Sequence, residues 1–228
     1  MTDDTMAGAS LRIDLWTDLV CPWCYLGKRR LDRAIESAGR EGQVELVIRS
    51  FELDPGNAST PTPVRDMLAR KYRVPPAEVE RMEARVAGLA AEEGLPYTLE
   101  RSQANTFDVH RVAHLAADAG VGASVFDALQ QVYFSGSGDP FDHATIRSVA
   151  VAAGVPGDEV DAVLAGDAYG RDVRRDEELA RRIGITGVPF AALDMSIGIS
   201  GAQSADVFRE AIETAFARRA DGGADSVG

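Results

Sequence analysis

The sequence predicts an α/β fold whose sheet is split between the two ends of the chain, and three observations carry that prediction. Period-2 apolar runs occur near residues 11–15, 44–48 and 190–199, the alternation expected of strands. Helical periodicity fills nearly everything between them. A strand–helix–strand unit opens the chain and a strand–strand–helix unit closes it. Neither flank could bury its sheet alone. Together, a βαβ unit and a ββα unit would make one mixed four-stranded sheet with helices on both faces, interrupted by an all-helical insertion.

Leu11, Ile13 and Leu15 alternate with Arg12, Asp14 and Trp16, which reads as the first strand. Pro22 then opens a helix in which Leu31, Ala34, Ile35 and Ala38 recur at helical spacing, with Gly39 placed to end it. Val44, Leu46 and Ile48 form a second strand running on toward Phe51. The connection between the two is long enough to be parallel and right-handed. Residues 56–63, rich in Gly, Asn, Ser, Thr and Pro, read as a loop.

No strand pattern follows until about residue 182. Helical stripes succeed one another over residues 64–72, 79–91, 107–119, 125–134, 145–153, 160–164 and 173–183. Strands resume at 190–193 and 197–199. A last amphipathic helix begins near Ser204, with Val207, Phe208, Ala211, Ile212, Ala215 and Phe216 on one face. The expected division is a sheet domain of residues 11–60 and 183–217 around an insertion of residues 61–182. Residues 1–10 and 220–228 are expected to be disordered tails. The pattern contains no internal repeat.

A length of 228 residues suits one large domain or a domain with a sizeable insertion. The net charge of −12 argues against nucleic acid and against an anionic membrane as partners, because the field of the whole protein repels both. The short basic runs Lys28-Arg29-Arg30 and Arg174-Arg175 read as solvated helix faces. Residues 1–10 lack the basic start and apolar stretch of a secretory leader. No run approaches the roughly 18 apolar residues of a membrane span. A cytoplasmic location is expected.

Only two cysteines are present, Cys21 and Cys24, separated by Pro22 and Trp23. A structural disulfide framework would need more of them, spread wider. A Cys-x-x-Cys pair beside a βαβ pattern reads as a redox motif. Cys21 falls at a helix start, where unpaired N–H groups and the helix dipole favour the thiolate, the form that attacks disulfides. Cys24 lies one turn further in, placed to resolve a mixed disulfide on Cys21. Pro22 suits the first helical position, where its missing N–H has no partner to lose. Half of a zinc site is the competing reading, with His110 and His114 at i, i+4 completing a set. They lie in the insertion, far along the chain, and no metal is expected. Inert buried thiols are the other alternative.

The segment from Asp18 through Cys21, Pro22, Trp23 and Cys24 to Tyr25, Leu26, Gly27 and Lys28 resembles the active-site segment of the FrnE-like branch of the DsbA family. Those are thioredoxin-fold proteins whose sheet is interrupted by a helical insertion. The resemblance runs over residues 11–217. Residues 51–55 follow the second strand as in that branch, and residues 105–111 look like its Asn-Thr…His-Arg segment. Residues 187–190, Gly-Val-Pro-Phe, look like its cis-proline loop, and residues 198–203 look like the segment entering its last helix.

The resemblance implies a thiol–disulfide oxidoreductase with a redox-active disulfide, Cys21 as nucleophile and Cys24 as resolving thiol. It also implies a cis bond before Pro189, with the backbone of Val188 pairing with the substrate chain. Asn105 and His110 become candidates for the substrate site, against a helix cap and an interface histidine. Asp18 becomes a candidate for proton transfer, against a plain loop residue, and Trp23 tunes access and potential. Three departures stand out. The turn Asp194-Met195-Ser196 is unusual, Ala191 and Ala192 replace bulkier residues, and no second cysteine pair follows.

Three functions compete. The first is a dithiol–disulfide enzyme acting on protein or small-molecule thiols and disulfides. The second is a glutathione-dependent isomerase or transferase of the 2-hydroxychromene-2-carboxylate isomerase type, which resembles this fold but typically places serine where Cys21 stands. The third is a non-catalytic holdase. No bound cofactor is expected beyond the disulfide itself. Glutathione as co-substrate and homodimerisation both stay open.

Overall fold

The computed structural model describes residues 10–224, with side chains through residue 221. The chain opens with β1 (Leu11–Thr17), α1 (Pro22–Ser37) and β2 (Val44–Ser50). Then come β3 (Thr62–Pro63), α2 (Val64–Tyr72), α3 (Pro76–Glu92), β4 (Ser102–Gln103) and α4 (Phe107–Asp118). The insertion continues through α5 (Gly122–Ser135), α6 (His143–Ala152), α7 (Gly157–Ala165) and α8 (Gly170–Arg182). It gives way to β5 (Phe190–Leu193), β6 (Ile197–Ser200) and α9 (Ala205–Ala224).

The main sheet has four strands in the order β2-β1-β5-β6. β1 and β2 run parallel, from Leu11 opposite Val44 to Thr17 opposite Ser50. β5 is antiparallel to β1, with Trp16 opposite Phe190, and β6 is antiparallel to β5. α1 stops where expected. Gly39 takes φ of +62°, and the N–H groups of Gly39 and Arg40 return to the carbonyls of Glu36 and Ile35, closing the helix through the left-handed residue that glycine adopts freely.

Leu11, Ile13 and Leu15 meet Leu31 and Ala34 of α1 and Phe208 and Ile212 of α9 in one apolar cluster. The opposite face of β1 is covered as well, in keeping with the expected helices on both faces of the sheet. Trp16 is fully buried among Ala180 of α8, Ile185 and Ala192, and its Nε1–H donates to the Asp176 carbonyl at 3.1 Å. Asp14 is buried too, held by Arg12 at 3.0 Å and Arg49 at 2.7 Å. The small Ala192 makes room for Trp16 on the neighbouring strand, which accounts for one departure noted above.

Three expectations need correction. The insertion is not all helical: β3 and β4 pair as a short ribbon, with Thr62 opposite Gln103. Two residues per strand are too few to show a period, and Pro63 sits in the ribbon, where a pattern reader discounts strand. α8, assigned by periodicity to the insertion, covers the second face of the sheet. The apolar core runs unbroken from β1 into α4, α5 and α6. Finally, residues 220–224 are not a tail but the last turn of α9, a helix tied to the β5–β6 turn where Arg219 pairs with Asp194. The expectation for residues 1–9 and 225–228 lies outside the described residues.

Candidate active site

The turn after β1 delivers Cys21 to the start of α1. Cys21 is the N-cap, with φ −81° and ψ 110°, and its Sγ accepts the Cys24 N–H at 3.3 Å. A sulfur thus fills the place usually taken by a Ser, Thr or Asp oxygen, and Pro22 occupies the first turn. Both thiols are free. Cys24 has no exposed surface and Cys21 is 3% exposed. Burial pushes the Cys24 thiol well above its ordinary value. The hydrogen bond and charge of Cys21 act the same way, while Thr17 and the Asp18 backbone pull against them.

The Val188–Pro189 peptide is cis. Cys21 Sγ donates to the Val188 carbonyl at 3.7 Å, so the loop before β5 lies directly over the nucleophile. Gly201 N–H holds the Pro189 carbonyl at 2.8 Å. A Cβ at Gly27 would come within 2.8 Å of Pro189 Cγ. The bare backbone of α1 therefore lets the helix press against this loop. Gly27 was part of the recognised segment, but its role was not read. Its signal was a glycine inside a helix, where it costs about 1 kcal/mol relative to alanine and calls for a reason.

Beneath the cysteines lies a polar layer. Asp18 is buried, with Oδ1 3.2 Å from His110 Nε2 and Oδ2 accepting the Leu53 N–H at 2.8 Å. Its carbonyl accepts from Gln130 at 3.2 Å and from the Cys21 N–H at 3.3 Å. Next to it, Glu52 is buried and accepts from Arg174 and from Asn105. Burial lifts the Glu52 carboxyl above its ordinary value despite the pull of Arg174 and His110. Neither Glu52 nor Gln130 was singled out from sequence.

Neither His110 nor Asn105 lines the opening beside Cys21 and Val188. The His110 ring is fully buried against Asp18 and Phe126. Asn105 caps Phe107 N–H at 2.9 Å and ties the Pro55 carbonyl to the start of α4. Their spacing on a helix start is met by these internal bonds. His114 pairs with Asp176 and Ser50 instead of completing a metal set. The described residues contain no cluster of three or more His, Cys, Asp or Glu side chains arranged to hold a metal ion.

A groove of about 380 Å³ opens beside Cys21, Pro22 and Val188. Its walls come from α2 and α3 and from the loop after β2, not from residues 105–111. Trp23 and Leu53 stand at its margin. Behind α3, Arg101 stacks 4.2 Å over the Tyr97 ring and pairs with Glu83, which also accepts from Tyr97 Oη.

A helix-start cysteine pair under a cis-proline loop, on a βαβ–ββα sheet, defines a thioredoxin-fold enzyme of the thiol–disulfide oxidoreductase class. The family model described as the DSBA-like thioredoxin domain matches residues 12–213, and the chain belongs to that family. A probable DsbA oxidoreductase from Streptomyces coelicolor is 42% identical, with 91% of this chain and 90% of that one aligned at a TM-score of 0.85. The cytosolic disulfide reductase DsbM from Pseudomonas aeruginosa, also solved with GSH, shares the fold at 19% identity. The alignment with DsbM covers 90% and 98% of the two chains at a TM-score of 0.60. A 2-hydroxychromene-2-carboxylate isomerase shares the fold at 15% identity over 95% and 100% of the chains, at a TM-score of 0.63. No helix among the described residues is long and apolar enough to cross a membrane.

Proposed function

We propose that this protein is a cytoplasmic dithiol–disulfide oxidoreductase of the FrnE-like type, acting on protein or small-molecule disulfides without a bound cofactor. One observation carries the reading: Cys21 Sγ is held between the Cys24 N–H and the Val188 carbonyl, with Cys24 sealed one turn behind it. Cys21, as thiolate, attacks a substrate disulfide. A Cys21–substrate S–S bond forms, and the displaced sulfur leaves with the electron pair and takes a proton. Cys24 then loses its proton and attacks the Cys21 sulfur, freeing the second substrate thiol and leaving a Cys21–Cys24 disulfide. Two electrons pass to the substrate, and an external thiol must return them.

Glutathione is the thiol we assign to that return step, a choice supported by the GSH-bound structure of the DsbM neighbour. We assign the Cys24 proton to Asp18, reached directly or through one water, because Asp18 is the buried carboxylate in the turn that leads into the cysteine motif. The Val188 backbone is the segment we assign to the substrate chain, as a short form of strand addition. Cytoplasmic placement fits a chain whose two cysteines both sit in the redox motif, leaving none for a structural disulfide. Direction follows from that compartment: reduction or isomerisation. The isomerase reading gains only a shared fold, and the serine it expects at position 21 is a cysteine here.

The test is reduction of insulin disulfides driven by a dithiol. Cys21→Ser should abolish it, and Cys24→Ser should retain substrate on Cys21 as a mixed disulfide. Equal rates for wild type and Cys21→Ser would remove this reading.

A further inference from the structure

We propose that the groove beside Cys21 selects polypeptide cysteines flanked by apolar residues and a carboxylate, the carboxylate being taken by Lys71 and Arg85. This rests on the oxidoreductase reading above and names its substrate class. Four of the large apolar side chains most open to solvent line this one groove: Trp23 at 42%, Leu53 at 39%, Tyr72 at 52% and Met82 at 39%. Exposed apolar residues scattered singly need no explanation, but a cluster around a nucleophile marks a surface that is covered in use. Met67 joins Met82 in the lining, and unbranched thioethers adapt to varied partners. At about 380 Å³ the groove lies toward the small end of ligand pockets, which run to roughly 1,000 Å³. It therefore takes a few side chains on either side of a cysteine, not a folded surface.

The charge of the groove runs against that of the chain. The protein carries −12 overall, yet Lys71 and Arg85 face this groove and neither pairs with a carboxylate among the described residues. Glu83, the carboxylate that α3 contributes to the lining, is already committed to Arg101 and Tyr97. The remaining charge, Asp54, sits on the loop with Leu53, so an acidic side chain is repelled there and directed to the α2–α3 wall. Physiological salt screens beyond about 8 Å, so these nearby cations outweigh the distant acidic surface.

The experiment compares two synthetic peptides, each with one cysteine in a disulfide to a coloured thiol and leucines beside it. They differ only in carrying two aspartates or two lysines. The full chain should favour the aspartate peptide by about fivefold in kcat/KM at low salt, the size expected of two partly exposed ion pairs. The preference should shrink at high salt and invert in Lys71→Glu/Arg85→Glu. The ratio is what is read, so a general loss of activity in the variant cancels. Equal rates for the two peptides, or an unchanged ratio in the variant, would overturn the proposal. So would faster turnover of oxidised glutathione than of the aspartate peptide, since glutathione has no apolar side chains to cover Tyr72 and Met82. Hydroxyethyl disulfide separates the two readings: a chain that reduces it but ignores flanking charge refutes the groove alone, whereas a chain inert toward it and toward both peptides takes down both.

Discussion

His110 Nε2 lies 3.2 Å from Asp18 Oδ1, and neither side chain reaches solvent. The ring's Nδ1 is buried with no hydrogen-bond partner among the described residues. A buried pair of this kind, in the turn that leads from β1 into Cys21, costs desolvation that an apolar pair would not. Its position argues for a chemical use. Asp18→Asn keeps an oxygen for the Leu53 N–H but loses the base, so attack by Cys21 should proceed while resolution by Cys24 slows about 100-fold. Rapid-mixing kinetics with a peptide disulfide would show the mixed disulfide accumulating. Equal rates of both steps would leave Asp18 as a loop anchor. His110→Ala strands the carboxylate, and a loss of about 3 kcal/mol in urea unfolding is expected.

Gly27→Ala should lower stability by about 1–3 kcal/mol, the usual cost of overpacking, because the new methyl group meets the Pro189 ring at 2.8 Å. The proline must move, and with it the Val188 carbonyl over Cys21. Thermal unfolding and insulin reduction should therefore fall together. An unchanged melting temperature would show that the loop yields freely.

Acid should weaken the fold through Asp176. Burial works to raise this carboxyl, but His114, the Ser50 N–H at 3.0 Å and Arg49 at 2.8 Å outweigh it and hold it below its ordinary value. A carboxyl depressed in the folded state stabilises above its unfolded pKa, and that contribution is lost as pH falls through the folded one. The urea midpoint should thus hold above pH 5 and decline from about pH 4 downward. Asp176→Asn should be less stable at neutral pH, with a shallower acid decline. Parallel curves for the two would place the acid sensitivity elsewhere.

The β5–β6 turn offers a gain. Asp194 and Met195 take φ of +47° and +54°. Asp194 has reasons to be there, since it accepts the Arg12 N–H at 3.1 Å and pairs with Arg219. Met195 is half exposed, and a left-handed backbone disfavours its side chain. Met195→Gly should stabilise by about 0.5–1 kcal/mol, read as a raised melting temperature without change in activity.

Much of this was legible in the residues. A mixed four-stranded sheet follows from two apolar runs at one end and two at the other, though not the order of its strands. The N-cap position of Cys21 follows from Pro22 and the stripe Leu31, Ala34, Ile35. What stayed hidden was set by distant partners. Helices were expected on both faces, but nothing local tells that α8, from the far end of the insertion, is the one that covers Trp16. Asn105 and His110 carry the residue types of a substrate site, yet each is engaged internally, Asn105 by the Phe107 N–H and His110 through Nε2 by Asp18. The groove walls come from α2 and α3, whose exposed Tyr72 and Met82 sit among charged neighbours and show no pattern that sequence alone would connect to Cys21.

The contact between Cys21 and Val188 spans 167 positions, and β1, which leads into the nucleophile, gains its second neighbour only when β5 arrives. During synthesis the cysteines and their helix emerge beside β2 long before the proline loop that covers them. Domains form as units in the order they are made, and pairing across such distances is slow. Until then the pair is a bare dithiol on a half-built sheet, open to any oxidant or metal it meets. Arrival of that loop is therefore the step at which an open dithiol becomes a covered one.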